Sequence, residues 1–244
     1  KVPRKYLQLF SHHALKVLSI FYIGNKVECN VCGHHFSSFL PYGRKPPRSN
    51  ALCPNCLTLE RHRLMWFFLQ KHTDFFSAKH KVLHIAPEIC FIDRFEKMEN
   101  LEYTTGDLES PLAKVRMDVH DIPFGDCNFD VAFCNHVMEH VKDDLRAMGE
   151  IYRILKPGGF AIIQSPMDFN LKKTYEDPSI KEPAAREKAF GQSDHVRMYG
   201  LDYQKRLEKA GFKVTPYDLK KEIPAEKYQR FALPEQEILY FCEK

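Results

Sequence analysis

The chain has 244 residues, which is enough for one large domain or for a domain of about 150 residues with a small accessory module. Apolar residues make up 44% and charged residues 28%, and this balance excludes disordered, collagenous and coiled-coil proteins. The longest apolar stretch, residues 17–23, is far shorter than the roughly 20 residues that cross a bilayer, so we expect no membrane span.

Charge is distributed unevenly along the chain. Residues 1–81 contain 13 Lys and Arg against three Asp and Glu, whereas the remaining residues contain 23 against 29. A basic N-terminal part is typical of proteins that bind phosphate groups, an acidic membrane surface or an acidic region of their own chain. Nucleic acid is therefore one candidate partner. A plain solvated surface explains the same charge equally well.

Residues 1–25 contain a candidate amphipathic helix, which we place over 5–22. Its basic face either meets solvent or lies on a membrane surface. Packing of its apolar face against the protein is the favoured interpretation. The basic face consists of Lys5, His12, His13 and Lys16.

Two cysteine pairs follow in residues 26–58. Cys29 and Cys32 form one C-x2-C pair, and Cys53 and Cys56 form a second pair after twenty intervening residues. Two tight turns of this kind bring four thiolates to one point, the tetrahedral cage that Zn²⁺ prefers, so we predict structural zinc in a module that resembles a zinc ribbon. Free thiols or disulfides are the alternative. Zinc thiolates imply a reducing compartment, and we expect the protein to be cytoplasmic.

A linking segment of residues 59–80 comes next, and helical spacing of apolar residues predicts a helix over 57–73. Three basic residues, 61–63, lie near the start of this helix, where anion binding is one interpretation. The single tryptophan, Trp66, has phenylalanine neighbours and favours packing against the next domain instead.

From residue 81 onward, short apolar runs alternate with helical segments. Such alternation predicts a parallel sheet covered by helices, with ligands bound beyond the carboxyl ends of the strands. Asp143 or Asp144 is the expected N-cap of the first of these helices, and the turn at 157–159 is expected to stop it. The predicted strands are 82–86, 103–106, 115–118, 131–135, 160–165, 213–218 and 238–242, and the predicted helices are 143–155 and 201–210.

Two motifs carry a resemblance to a known family. Residues 121–141, DIPFGDCNFDVAFCNHVMEHV, and 154–160, ILKPGGF, resemble the class I S-adenosylmethionine-dependent methyltransferases, in particular their type 11-like branch. Tyr-Gly-Leu-Asp at 199–202 and Ala-Gly-Phe at 210–212 extend the similarity. The resemblance implies a Rossmann-like, doubly wound α/β fold with a seven-stranded sheet over residues 81–244. Together with the ribbon it is similar to a bacterial subgroup of these enzymes.

The resemblance also implies a site for S-adenosylmethionine. The strand ending in His84, Ala86, Pro87 and Glu88 corresponds to the family's glycine-rich loop, which here lacks its glycines, with Glu88 expected to face the ammonium of the cofactor. Asp107 and Leu108 correspond to the ribose contact, and Asp118 and Val119 to the adenine contact, with a turn in place of the helix between them. A simple turn or cap aspartate is the alternative for Asp107. Cys134, Asn135 and His136 correspond to the loop beside the methyl sulfonium.

A polar insertion at residues 166–199 is expected to bind the methyl acceptor. We assign His195 as the general base and name His140 and Tyr175 as further catalytic candidates, with a structural pairing of Asp194 and His195 with Arg197 as the alternative. The predicted function is methyl transfer to a small organic acceptor. RNA methylation, with docking through the basic ribbon, and a non-catalytic binding protein of degenerate methyltransferase fold are the alternatives.

Overall fold

The computed structural model describes residues 15–43 and 46–244. Residues 5–14 of the predicted N-terminal helix over 5–22 lie outside the described residues, residues 15–18 are helical, and a 3-10 turn at Ser19–Tyr22 follows. The chain forms two compact units. The first comprises the described residues up to Ala78 with Glu88–Asn100 and Asp218–Ile238, and the second comprises Lys79–Pro87, Leu101–Tyr217 and Leu239–Lys244.

The two units are compact clusters rather than continuous stretches of chain, and the predicted boundaries at 26–58, 59–80 and 81–244 stay predictions. The helices are α1 (Glu60–His72), α2 (Ile89–Phe95), α3 (Asp144–Ile154), α4 (Pro183–Phe190), α5 (Tyr203–Lys209) and α6 (Ala225–Arg230). The strands are β1 (Ile23–Glu28), β2 (His35–Phe36), β3 (Leu40–Tyr42), β4 (Arg48–Leu52), β5 (His80–Ile85), β6 (Leu101–Asp107), β7 (Val115–Arg116), β8 (Phe129–Asn135), β9 (Leu155–Gln164), β10 (Tyr175–Glu176), β11 (Arg197–Met198), β12 (Lys213–Tyr217) and β13 (Leu239–Glu243).

The first unit contains two small antiparallel sheets, β1 with β2 and β3 with β4, and the helix α1. Helix α1 begins at Glu60, three residues later than predicted, because Leu57 has a φ of 61° in the turn that follows the second cysteine pair. The ring of His62 accepts a hydrogen bond from the Leu59 amide at 3.1 Å and so caps the helix. Trp66 packs on α2, where its ring is stacked with that of Phe91.

The second unit is built on a seven-stranded sheet in the order β12-β13-β9-β8-β5-β6-β7. The five strands from β9 to β7 are parallel, and β13 is antiparallel to both of its neighbours. Each of the seven predicted strands overlaps one of these strands. The predicted α/β fold with a seven-stranded, mostly parallel sheet is therefore confirmed.

Local signals position the helices and turns around this sheet. Asp143 is the N-cap of α3, where its carboxylate accepts a hydrogen bond from the Arg146 amide at 3.0 Å. The helix ends at Ile154, and its apolar face at Ala147, Met148 and Ile151 is fully buried. No helix separates β6 from β7, as predicted from the short spacing; a turn fills residues 108–114 instead.

The insertion at 166–199 is folded rather than a plain loop. It contains α4 and the short antiparallel pair of β10 and β11. Gly191 closes α4 with a φ of 84°, a left-handed conformation that glycine adopts without steric cost. Among the described residues, no helix combines the length and the apolar character that crossing a membrane requires.

Candidate functional site

The four paired cysteines lie together in the first unit. Sγ of Cys29 is 3.5 Å from Sγ of Cys56, Sγ of Cys32 is 3.8 Å from Sγ of Cys53, and the four sulfur atoms lie within 4.8 Å of one another. A tetrahedral zinc ion with Zn–S bonds of about 2.3 Å requires sulfur atoms roughly 3.8 Å apart. None of the four is disulfide-bonded. The donor set and its spacing therefore fit zinc.

The surroundings of the cysteines favour thiolates. The hydroxyl group of Thr58, which is fully buried, lies 3.1 Å from Sγ of Cys29 and 3.2 Å from Sγ of Cys56. Such a hydroxyl donates to metal-bound sulfur and fixes its orientation. His34, next to the first pair, instead directs Nδ1 to the Cys32 carbonyl oxygen at 3.0 Å, so it is not needed as a ligand.

Of the basic residues at the start of α1, Arg63 is used within the protein and is not open to an anion. Arg63 is fully buried and its guanidinium lies 4.3 Å from the centre of the Phe39 ring. The guanidinium donates only to main-chain oxygen atoms of the first unit. These are the carbonyls of Asn50, Ala51, Thr58, Phe231 and Ala232, at 2.7–3.4 Å.

In the second unit, Ala86 follows the carboxyl end of β5, where a glycine is typical of the family that the sequence resembles. The φ of Ala86 is 50°, in the left-handed region, and its amide donates to the Gly106 carbonyl at 2.9 Å. An L-residue pays about 1–2 kcal/mol for this conformation. The main chain at Ala86 therefore makes the turn that glycine usually makes, although this conformation is less favourable for alanine. Pro87, which follows, is buried.

His84 and Glu88 each have a partner within their own unit. His84 is fully buried within β5, where its Nδ1 shares a hydrogen bond of 2.7 Å with the Tyr103 hydroxyl of β6. Glu88 belongs to the first unit, and its Oε1 lies 3.5 Å from Nε2 of His62. Both side chains thus have partners within the protein, and their contacts with a cofactor stay predictions.

Two aspartates stand at the ends of β6 and β7. Asp107 ends β6, and its Oδ1 accepts from the amides of Glu109 and Ser110 at 2.7 and 2.6 Å. Asp118 follows β7, and its Oδ1 accepts from the amide and Nδ1 of His120 at 2.9 and 2.7 Å. These hydrogen bonds lower the pKa of Asp118. Each aspartate thus uses Oδ1 to order its turn. Leu108, which follows Asp107, is exposed, and Val119, which follows Asp118, is buried.

The carboxyl end of β8 lies beside that of β5 in the sheet. Cys134 and Asn135 are buried there. His136 has a φ of 56°, and its amide donates to the Gln164 carbonyl at 2.7 Å. The strained turn at His136 directs the chain into the segment that carries Glu139 and His140.

Four residues that we call the histidine cluster, His136, Glu139, His140 and His195, lie close together in the second unit. Oε1 of Glu139 is 3.4 Å from Nδ1 of His136 and 3.9 Å from Nε2 of His140. The rings of His140 and His195 are perpendicular, with centres 4.7 Å apart. The structure therefore brings together two of the three predicted catalytic residues. Glu139 is not one of the predicted catalytic residues, although the spacing His-x-x-Glu-His is present in the sequence.

Burial distinguishes the members of the cluster. Glu139 and His195 are each 2% exposed. Burial alone raises the pKa of Glu139, but the hydrogen bond and charge of His136 and the charge of His140 bring it below its usual value. Burial lowers the pKa of His195, so its ring is neutral at pH 7. The cluster thus combines a carboxylate with a neutral imidazole.

Arg197 holds the insertion against the cluster. The Arg197 guanidinium donates to the carbonyl oxygens of Met138 and Val141, both at 2.6 Å, and to that of Lys142 at 3.1 Å. Next to it, the amide of Val196 donates to the Glu139 carbonyl at 2.9 Å. Arg197 also donates to the Glu176 carboxylate at 3.0 Å, and its predicted pairing with Asp194 and His195 stays a prediction. The third predicted catalytic residue, Tyr175, is exposed and contacts the ring of Phe190.

Asp144 anchors the same region through a buried ion pair with Arg206, whose guanidinium donates to both carboxylate oxygens at 2.7 and 2.9 Å. The Tyr199 hydroxyl donates to Oδ2 at 2.7 Å. Burial raises the pKa of Asp144, but the hydrogen bond from Arg206 and the charge of Arg197 outweigh it, so the pKa lies below its usual value.

We expect Asp144→Asn to lower the free energy of unfolding of the second unit by about 2 kcal/mol at pH 7, because it removes the buried charge that pairs with Arg206 and leaves this partly buried guanidinium with the more exposed Glu176 alone. The folded pKa is lowered, so this stabilisation is present above the unfolded pKa of about 3.9 and is lost as the pH falls through the folded value. Urea denaturation followed by circular dichroism at pH 7, 5 and 3.5 measures the difference, which is expected to shrink only in the last condition. Asp126→Asn, which breaks an exposed pair with Arg153, is the control.

Comparison with known proteins supports the interpretation of this sheet. Residues 74–163 match a family model described as "Methyltransferase domain". The chain is 47% identical over 53 residues to the chloroplastic 2-phytyl-1,4-beta-naphthoquinone methyltransferase of Arabidopsis thaliana, covering 22% of this chain and 19% of the relative. It is 41% identical over 59 residues to the 2-phytyl-1,4-naphtoquinone methyltransferase of Nostoc punctiforme, covering 24% of each. The chain thus spans about a fifth to a quarter of the length of these relatives.

Among solved structures, the 4+2 cyclase SpnF superposes with a TM-score of 0.50 at 15% identity, over 70% of this chain and 66% of that protein. At this identity the similarity concerns the fold alone. The family match includes the strands β5, β6, β7 and β8, whose carboxyl ends carry the residues described above. The part of the seven-stranded sheet that lies within residues 74–163 is therefore similar to a methyltransferase domain.

Proposed function

We propose that the protein transfers a methyl group from S-adenosylmethionine to a small organic acceptor. The observation that carries the proposal is the set of polar groups and tight turns at the carboxyl ends of four adjacent parallel strands, β7, β6, β5 and β8. Ligands bind at this edge of an open α/β sheet. Asp107, Asp118 and the left-handed turns at Ala86 and His136 all belong to this edge.

The residues at this edge fit the cofactor by their chemistry. In the proposal, Asp107 accepts hydrogen bonds from the ribose hydroxyls through Oδ2 while Oδ1 keeps the turn, and Asp118 and Val119 hold the adenine. The turn at Ala86 leaves the main chain free to approach the methionine part. The bound cofactor supplies a methyl group that is already activated by its positively charged sulfur.

The acceptor is proposed to lie between this edge and the insertion at 166–199. Its nucleophilic atom forms a bond to the methyl carbon while the sulfur–carbon bond breaks, and the electron pair stays on sulfur. A hydroxyl or similar acceptor must lose its proton to complete the transfer, and we assign the preparation of the acceptor for this loss to the histidine cluster. Most of the rate enhancement comes from orientation of the two reactants.

The relatives favour a small acceptor. The Arabidopsis and Nostoc proteins are named as methyltransferases of phytyl naphthoquinones. We extend to this chain only the class, a small organic molecule. The histidine cluster and the folded insertion belong to the second unit itself, so an acceptor of this size needs no further surface.

The basic N-terminal part gives little support to the RNA alternative, because several of its charges are used within the protein. Arg63 is buried among carbonyl groups, Arg48 pairs with Glu60 at 2.9 Å, and Lys71 pairs with Glu222 at 2.8 Å. The retained turn at Ala86 is likewise an argument against a degenerate domain.

We further propose that Cys29, Cys32, Cys53 and Cys56 bind one structural zinc ion, supported by the tetrahedral spacing of the sulfur atoms. Four cysteines leave no open coordination position, so the metal stabilises the first unit and takes no part in methyl transfer. The cytoplasmic location stays a prediction that rests on these reduced thiols.

Calorimetric titration with S-adenosylhomocysteine tests the proposed cofactor site. Asp107→Asn keeps the Oδ1 acceptor on which the turn depends and replaces only the second carboxylate oxygen with a donor. We expect the variant to bind about 10- to 100-fold more weakly than the wild type, because two charge-assisted hydrogen bonds are lost.

The matched control is Asp177→Asn, since Asp177 makes the same kind of turn through hydrogen bonds from the Ser179 amide and hydroxyl at 2.9 and 2.6 Å. The control is expected to bind S-adenosylhomocysteine like the wild type. No heat with the folded wild-type protein contradicts the proposed function and favours the degenerate binding protein. Equal affinity of Asp107→Asn and the wild type removes Asp107 from the site.

A further inference from the structure

We propose that Glu139, His140 and His195 bind a divalent first-row transition-metal ion, separate from the zinc of the cysteine cluster. One ligand atom of each residue lies within 4.8 Å of the corresponding atoms of the other two. Two imidazoles and one carboxylate form a common protein donor set for Zn²⁺ and Fe²⁺. The three ligands come from the segment after β8 and from the insertion.

His195 carries the strongest evidence. Its Nδ1 lies 3.0 Å from the Phe190 carbonyl oxygen, and since a carbonyl only accepts, Nδ1 holds the ring proton. Nε2 is therefore left with a lone pair. That atom is buried and has no hydrogen-bond partner among the described residues, while the residue as a whole is 2% exposed. A buried acceptor without a donor is costly unless a cation or a ligand occupies the space in front of it.

His140 is oriented in the same way as His195, with Nδ1 facing a main-chain oxygen and Nε2 facing the proposed metal site. Its Nδ1 lies 3.3 Å from the main-chain oxygen of Asp194 and 3.5 Å from the carboxylate of the same residue. Nε2 is thereby turned toward Glu139, at 3.9 Å from Oε1. Metal-binding histidines usually donate their other ring N–H to a carbonyl or carboxylate, which fixes the tautomer and the ring orientation. His140 and His195 both meet this condition.

Glu139 supplies the negative charge and is itself oriented by neighbours. The Ser165 hydroxyl donates to Oε2 at 3.1 Å, and Nδ1 of His136 lies 3.4 Å from Oε1. The carboxylate is 2% exposed, and buried carboxylates are normally paired with a cation. The hydrogen bond from Val196 to the Glu139 carbonyl and the contacts of Arg197 hold the two ligand-bearing segments together.

Three protein ligands leave coordination positions open, so the metal would bind an oxygen atom of the acceptor. This step rests on the proposed function. A metal-bound hydroxyl loses its proton more readily, and the proton passes to water when the acceptor attacks the methyl group. In this arrangement the metal prepares the acceptor. The Nε2 atoms of His140 and His195 stay bound to the metal and do not carry the proton.

Titration of the zinc-loaded protein with Co²⁺ tests the inference, because cobalt reports its ligands by its visible spectrum. We expect a second metal equivalent with the weak bands of nitrogen and oxygen ligation and without the strong sulfur-to-metal absorption of cysteine ligation. His195→Gln, and His140→Gln at an exposed position, are expected to weaken this binding more than about 100-fold. His72→Gln, which removes a histidine of α1, is the control and should leave it unchanged.

S-adenosylhomocysteine binding, measured on the same samples, shows whether the variants are folded and separates the two proposals. Cobalt binding without S-adenosylhomocysteine binding supports the metal site and contradicts the proposed function. Retention of S-adenosylhomocysteine binding with no second metal equivalent overturns the metal site and leaves the proposed function intact. Cobalt binding that survives both histidine substitutions also overturns it.

Discussion

Replacing Cys53 by serine is expected to abolish zinc binding and to unfold the first unit at 25 °C. Structural zinc sites contribute an apparent binding free energy of about 10–16 kcal/mol that is also folding free energy. The two sheets near the metal have strands of only two to six residues, and Cys29, Cys53 and Cys56 are buried. Two-stranded sheets of this length are marginally stable without further support, which here is the metal.

Trp66 gives a direct readout of this prediction, since it is the only tryptophan of the chain and belongs to the first unit. Its ring is stacked with Phe91 and Phe95, so unfolding is expected to shift its fluorescence to longer wavelength. Zinc content, measured by atomic absorption, should fall from one equivalent to none. Cys127→Ser, at an exposed cysteine, is the matched control and should keep both the bound zinc and the native Trp66 fluorescence.

Folded protein with native tryptophan fluorescence and no zinc contradicts this role of the metal. Chelation of zinc from the wild type provides the same test without a substitution. If the fluorescence shift then reverses when zinc is returned, the metal and not the serine side chain accounts for the effect.

The parts of the structure that were predictable from sequence depend on local signals. The two C-x2-C pairs each lie within one turn, and their spacing was sufficient to predict that the four sulfur atoms meet. The N-cap at Asp143 and the turn between β6 and β7 were also visible, the first from residue type and the second from chain length. All seven strands of the sheet were found from their apolar runs.

The histidine cluster was only partly predictable, because it is formed by tertiary contacts. His140 and His195 were named separately, and their approach depends on the seating of the insertion through Val196 and Arg197. No periodicity in the sequence encodes that contact. The orphaned lone pair on Nε2 of His195 is visible only when its neighbours in space are known.

Burial of charge was the other feature that sequence reasoning could not assign. Arginine is rarely buried, so the pattern at 61–63 predicts a surface role. In the structure Arg63 satisfies carbonyl groups that would otherwise be buried without donors, including two from the segment Asp218–Ile238. The grouping of that distant segment with the first unit likewise follows from packing and not from a local motif.

Arg63→Met is expected to destabilise the first unit by at least about 4 kcal/mol, because it removes five hydrogen bonds and leaves buried carbonyl oxygens without donors. Arg63→Lys is expected to recover little of this loss, since an ammonium group cannot reproduce the planar fork that reaches main-chain oxygens on both sides. Urea denaturation of the zinc-loaded protein, followed by Trp66 fluorescence, measures both changes.

Lys71→Met serves as the comparison for Arg63, because it removes a cation of the same unit from an exposed ion pair with Glu222. Surface pairs of this kind contribute no more than about 1 kcal/mol. If Arg63→Met lowers the free energy of unfolding as little as Lys71→Met does, water replaces the guanidinium at the carbonyl groups. A large loss for Arg63→Met with near-complete rescue by Arg63→Lys would mean that the charge, and not the geometry of the fork, stabilises the unit.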